Sequence, residues 1–176
     1  MLATTLSACA GFAFFFVYAS VFEYAFHRWV LHHPWRVFPY PYRIHALLHH
    51  RIFHGDTTYC VQREEDRELI LFKWWQAALL LLGNAPVMLG LQVASGLPLF
   101  WPGLAALGTY YVIYEYLHCS MHNPSGRWIE RTGLFRFLNS HHRLHHGHWR
   151  VNFNVVLPVG DRIFRTLRQP VRRAVR

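Results

Sequence analysis

Residues 2–22 read LATTLSACAGFAFFFVYASVF, twenty-one residues without a charge, and that stretch decides the fold. At about 1.5 Å per residue, a helix of this length covers about 30 Å, the thickness of a bilayer's hydrocarbon core. A first membrane-spanning helix is expected. Leu6-Ser7-Ala8-Cys9 has the outline of a processed lipoprotein signal. No basic residue precedes it and the apolar run continues past it, so residues 1–26 are expected to be retained.

The charges outside this stretch agree with a membrane protein. Only 15% of the 176 residues are charged, and all eighteen Lys and Arg lie within residues 28–73 and 127–176. A soluble protein spreads its cations over every surface, whereas a membrane protein confines them to loops on the cytoplasmic side. Residues 74–94 form a second apolar stretch, interrupted by Pro86, and the cation-free turn Ser95-Gly96-Leu97-Pro98 leads into a third from Leu99. The expected fold class is all-α, an integral membrane helical bundle with a cytoplasmic His-rich helical cap. One domain covers residues 1–176, with spans at about 2–26, 74–94 and 99–117 and His-rich regions at 27–73 and 118–176. The His-rich regions and the C-terminus fall on the cytoplasmic side and the N-terminus on the opposite one. The net charge of +9 is then a topology signal, with the basic tail on the anionic inner leaflet. No recognition fold precedes that tail, so nucleic acid is not an expected partner. Cys9, Cys60 and Cys119 form no CxxC pair and no even framework, which excludes a disulfide scaffold and a thiolate zinc site.

Fourteen histidines carry the chemistry. The densest run is Ser140-His141-His142-Arg143-Leu144-His145-His146-Gly147-His148. On a helix, His142, His145 and His146 share an arc of about 100 degrees. The first span ends in Glu23-Tyr24-Ala25-Phe26-His27-Arg28-Trp29-Val30-Leu31-His32-His33-Pro34. The third ends in Tyr114-Glu115-Tyr116-Leu117-His118-Cys119-Ser120-Met121-His122-Asn123-Pro124. Both read Glu-Tyr, a His, a second His, one residue and Pro, and a dense His cluster follows each, which suggests an internal duplication. Between them lies a helical segment, 42–54, holding His45, His49, His50 and His54. There His45 shares a face with His49, and His50 with His54, while His49 and His50 diverge by about 100 degrees. All four clusters sit at or beyond the cytoplasmic ends of spans, as one shared site requires. Ten neutral imidazoles exceed the coordination number of one ion, so two ions are implied. A closed structural zinc site takes four ligands, and the surplus points to open positions and catalysis. Glu23, one turn before His27, is placed to orient that ring.

These boxes resemble those of the membrane fatty acid hydroxylase and sterol desaturase superfamily: His-x4-His, His-x2-His-His, His-x3-His and His-x2-His-His. His27 and His32 match the first, His118 and His122 the third, and His142, His145 and His146 the fourth. Asn152-Phe153-Asn154 and the segment from Asp161 to Thr166 resemble the family's C-terminal region. The second box departs from pattern. His49 and His50 carry over, but Ala46 stands where the first ligand belongs, so that ligand comes from His45, the preferred reading, or from His54. His141 is a further candidate ligand.

The resemblance implies two iron ions, replaceable by zinc in a purified protein, and O2 as co-substrate. It implies hydroxylation of a C–H bond of a membrane lipid, fatty acyl or sterol/hopanoid-like, with Glu23 and Glu115 orienting ligand rings. Some relatives carry a fused cytochrome b5 domain, for which this chain is too short. The expected electron donor is therefore a separate ferredoxin or a cytochrome b5-type protein with its reductase. A carotenoid hydroxylase or a lipid desaturase would use the same chemistry, although the carotenoid enzymes have a longer third box. A non-redox metal transporter or sensor is disfavoured, because transporters place ionisable groups near the bilayer midplane and these spans are empty between their ends.

Overall fold

The structure is a computed structural model that describes residues 2–55 and 57–169. The end of the basic tail, residues 170–176, lies outside the described residues. Helix α1 (Leu2–Phe26) runs straight into a π-helical turn, His27–Leu31, and after a short connection α2 (Tyr40–Tyr42), a second π-helical segment (Arg43–His49) and α3 (His50–Ile52) form one continuous helical unit. A 3-10 turn, Glu64–Leu69, leads to α4 (Trp74–Ser95) and then α5 (Phe100–His122). A second 3-10 turn (Trp128–Arg131), α6 (Gly133–Gly147) and the short α7 (Val159–Ile163) complete the chain. No strand occurs among the described residues.

Two segments, Thr5–Leu31 and Glu64–Ser95, are long and apolar enough to cross a membrane. Only 22% and 11% of their most apolar windows are buried. A soluble core helix would be mostly buried, so these faces are solvated by something apolar, as a helix facing lipid is. Phe14, Val17, Leu82, Val93 and Trp74 are among the exposed apolar side chains. Of the three expected spans, α5 is the one that does not reach the same standard. It matches the others in length, but ten of its 23 residues are buried and it carries Glu115, His118 and His122. The third helix is the wall against which α1 and α4 pack.

The turn between α4 and α5 closes on Gly96, whose φ of 69° is the left-handed helix cap that glycine adopts without penalty. Phe15, Ala19, Met88, Ala106, Leu107 and Tyr110 make the core between the spans. It continues without a break into Tyr114, Leu117, Met121, Phe135, Leu138, Val155 and Val156 beneath α6. The histidine-bearing elements therefore rest on the same packed core as the spans.

Helix α7 docks on α1 at Gly160, where an added Cβ would overlap Tyr24 Cβ and stand 2.7 Å from its Cγ. Tyr24 cannot yield, being fully buried, stacked on Phe164 at 4.6 Å and edge-on to Phe153 at 5.4 Å. Gly160→Ala is expected to destabilise the protein by about 1–3 kcal/mol, the usual cost of overpacking. Thermal unfolding in detergent should show a midpoint roughly 2–12 °C lower, and an unchanged midpoint would refute this docking.

Candidate metal centre

The two π-helical segments set the geometry of the first half. A π turn is wider than an α turn, so side chains five apart are also brought side by side. The five-residue hydrogen bonds join the histidines themselves: His32 N donates to His27 O at 3.1 Å, and His50 N donates to His45 O. His27 with His32, and His45 with His50, thus stand side by side. In the second half ordinary α-helix does the same with four-residue spacing, for His118 with His122 and His142 with His146. The extra residue in the second box is accommodated by the π segment. His45 lies in the first histidine group, while His54 is exposed and belongs to neither. The expected face-sharing of His45 with His49 is present, their rings stacking at 5.2 Å, but their nitrogens part: His45 goes with His50, and His49 with the other group.

Ten ring nitrogens, one per histidine, form two clusters within each of which all lie within 4.8 Å of one another. The first holds His27, His32, His45, His50 and His145, and the second His49, His118, His122, His142 and His146. Both adjacent pairs, His49-His50 and His145-His146, split between the clusters. The clusters touch where the His50 and His146 rings stack at 4.2 Å. Each half of the chain gives four histidines to one cluster and one to the other: His49 crosses from the first half and His145 from the second.

Backbone carbonyls fix the tautomers. His49 Nδ1 donates to Leu69 O and His118 Nδ1 to Ile70 O, both at 3.0 Å. His122 Nδ1 donates to Tyr59 O and His145 Nδ1 to Val151 O, both at 2.7 Å. His27 and His146 make the same bond to Phe153 O and Phe53 O. A carbonyl can only accept, so each of these six Nδ1 atoms carries the proton and each Nε2 presents a lone pair inward. His27 Nε2 meets His45 Nε2 at 2.8 Å, and His32 Nε2 meets His145 Nε2 at 3.1 Å. In the second cluster His142 Nε2 stands 3.1 Å from both His122 Nε2 and His146 Nε2. The buried Nε2 atoms of His49 and His118 have no hydrogen-bond partner. Inward lone pairs at such distances, two of them orphaned, are the environment that a cation satisfies.

The rings are also neutral. Burial pushes His45, His49, His50, His142, His145 and His146 well below the ordinary imidazole range, and neighbouring imidazoles push them further down. His32 is lowered by the same causes. No proton competes with a metal for these nitrogens at neutral pH.

The remaining candidates go elsewhere. His141 is buried outside both clusters, with Nε2 donating to Asp161 Oδ2 at 3.2 Å. His33, His54 and His148 are exposed. Among the described residues, neither Glu23 nor Glu115 hydrogen-bonds the histidine ring that it is expected to orient. Glu23 accepts from Tyr110 Oη and Val155 N at 2.5 Å and from Asn154 Nδ2 at 3.0 Å, and Glu115 accepts from Phe72 N at 3.2 Å. The carbonyls that take the orienting role have no side-chain signature. Only Asn152, Asn154 and Asp161, which hold the 151–155 segment, had a trace in the sequence.

Two cavities reach the clusters. One is walled mostly by apolar residues of α1, α4 and α5, including Phe22, Leu81 and Leu107, and reaches His27. The other touches His45, His49 and His118 and opens past Lys73 and Gln76. They share Leu31, Phe72 and Tyr114 as walls. Tyr110 and Tyr111 line the first cavity, while Trp74 and Trp101 point outward, as interfacial anchors do.

The family model described as fatty acid hydroxylase matches residues 12–166. Neither the curated proteins nor the solved structures yield a match.

Proposed function

Because the chain belongs to the fatty acid hydroxylase family, we propose that it is an O2-dependent hydroxylase of a membrane lipid, fatty acyl or sterol/hopanoid-like, with two iron ions held by the ten clustered histidines. The observation that carries this reading is the pair of five-imidazole clusters with inward lone pairs. Five neutral nitrogens exceed what a closed zinc site takes, and leave an octahedral ion one open position. Iron so held supplies O2 activation, in which one oxygen atom enters the C–H bond and the other leaves as water, with two electrons and two protons delivered from outside. The chain's own residues do the rest. His27, His32, His45, His50 and His145 hold one ion, and His49, His118, His122, His142 and His146 the other. The mostly apolar cavity beside His27 receives hydrocarbon from the bilayer. The electron donor is a separate ferredoxin or cytochrome b5-type protein with its reductase, docking on the cation-rich side. That side is the cytoplasmic one, with α5 as the third crossing and the N-terminus opposite.

The decisive experiment is lipid analysis of cells with and without the protein, grown under 18O2, together with a metal count on purified protein. An 18O-labelled lipid and two metal ions per chain are expected. A lipid that loses two hydrogens without gaining label would assign a desaturase, and a labelled pigment in a carotene-producing host would assign a carotenoid hydroxylase. An unchanged lipid and pigment profile with metal bound would overturn oxygenase function.

A further inference from the structure

The two glutamates that miss the rings make the same contact in each half of the chain. Glu23 lies four residues before His27 and Glu115 three before His118. Glu23 accepts the amide of Val155, and two residues earlier Phe153 O accepts from His27 Nδ1. Glu115 accepts the amide of Phe72, and two residues earlier Ile70 O accepts from His118 Nδ1. Each held segment also orients the histidine that crosses from the other half: Val151 O takes His145 Nδ1, and Leu69 O takes His49 Nδ1. His27 and His145 belong to the first cluster, and His118 and His49 to the second.

We propose that Glu23 and Glu115 are positioning residues, each governing the metal affinity of one cluster through the backbone segment it holds, Glu23 the first cluster and Glu115 the second. The inference rests on the two-metal reading above. Both Glu23 oxygens accept hydrogen bonds, so the NH2 of a Gln there displaces an acceptor. At Glu115 one oxygen alone accepts from the amide, which a Gln would still supply, and Met, with no oxygen, removes it. Either change weakens the grip on one segment only. Two carbonyls then lose register with two Nδ1–H groups of a single cluster. Losing such an outer partner lowers metal affinity by about 10–100-fold.

The test uses the full chain loaded with 57Fe. Glu23→Gln, Glu115→Met and wild type are compared by chelator competition, counting metal per chain, and by Mössbauer spectroscopy. The expected result is that each variant releases half its iron about 10–100-fold more readily than wild type. The Mössbauer signal should change for that half alone, and the two variants should alter different halves. A general loss of structure would move both halves together. Glu115 is half-buried and makes a single bond to the segment, so its variant carries the test alone if Glu23→Gln does not accumulate. Equal loss from both clusters, or retention of both ions at wild-type affinity, would overturn the assignment of the carboxylates. Wild-type protein that holds fewer than two ions would instead overturn the underlying metal reading.

Discussion

Replacing His145 with alanine is expected to lower bound metal from two ions per chain to one or fewer and to abolish lipid oxidation. His145 is the single histidine that the second half contributes to the first cluster. Its Nε2 lies 3.1 Å from that of His32, and its ring centroid 4.5 Å from that of His27. Alanine removes one of five inward nitrogens and also the Nδ1–H that binds Val151 O, so the segment carrying Phe153 O to His27 loosens as well. Loss of an outer partner alone typically costs 10–100-fold in affinity or activity, so loss of a ligand together with its anchor should exceed about 100-fold in turnover. His148→Ala is the control: it removes an exposed imidazole at the end of the same helix, one that belongs to neither cluster. That variant should keep two ions per chain. Full turnover with intact metal in His145→Ala would refute the cluster as the reaction centre, and equal metal loss in the two variants would reduce the effect to general misfolding.

What the sequence disclosed and what it concealed divide along physical lines. Two of the three expected spans were legible because hydrocarbon tolerates so few residue types. The ten clustered histidines were legible because no packed core accepts that many imidazoles. The helical register of 43–52 was concealed. Spacing read at 3.6 residues per turn pairs His45 with His49, whose rings do stack, but misses His45 beside His50. Nothing in the side chains announces a π turn, which is defined by backbone bonds between residues five apart. The orienting partners were concealed for a related reason. Sequence reasoning looks for carboxylates next to imidazoles, and here the acceptors are carbonyls of Phe53, Tyr59, Leu69, Ile70, Val151 and Phe153, positions filled by residues with no polar side chain except Tyr59. Glu23 and Glu115 were noticed for their proximity to His27 and His118, but their contacts are to amides on segments remote in sequence, which helix periodicity cannot supply.

Asp161→Asn is expected to be the most damaging change outside the clusters. The Asp161 carboxylate is fully buried and accepts from four donors: Phe153 N at 2.9 Å, Asn154 N at 2.7 Å, Thr166 Oγ1 at 2.6 Å and His141 Nε2 at 3.2 Å. Burial pushes its pKa up, but these hydrogen bonds outweigh burial and hold it below the ordinary carboxylate value. A carboxyl depressed in the folded state contributes stability that is complete above its unfolded value, near pH 3.9. That contribution is lost as pH falls through the folded value, because the unfolded chain then binds the proton more readily. Asparagine offers one acceptor oxygen where four donors converge, and turns an NH2 toward the rest. Disrupting a buried charged network of this kind costs about 3–5 kcal/mol, or roughly 6–20 °C of unfolding midpoint for a chain of this length. Phe153 and Val151 flank the affected amides and orient His27 and His145, so metal should be lost first from the first cluster. Thermal unfolding followed from pH 7 to pH 3 separates the charge from the packing. Wild type should lose stability below about pH 4, whereas the variant should start lower and lack the portion of that acid dependence due to Asp161. A variant with the wild-type midpoint, or with the full wild-type acid dependence, would show that the 151–155 segment is held by Asn152, Asn154 and Glu23 without the carboxylate.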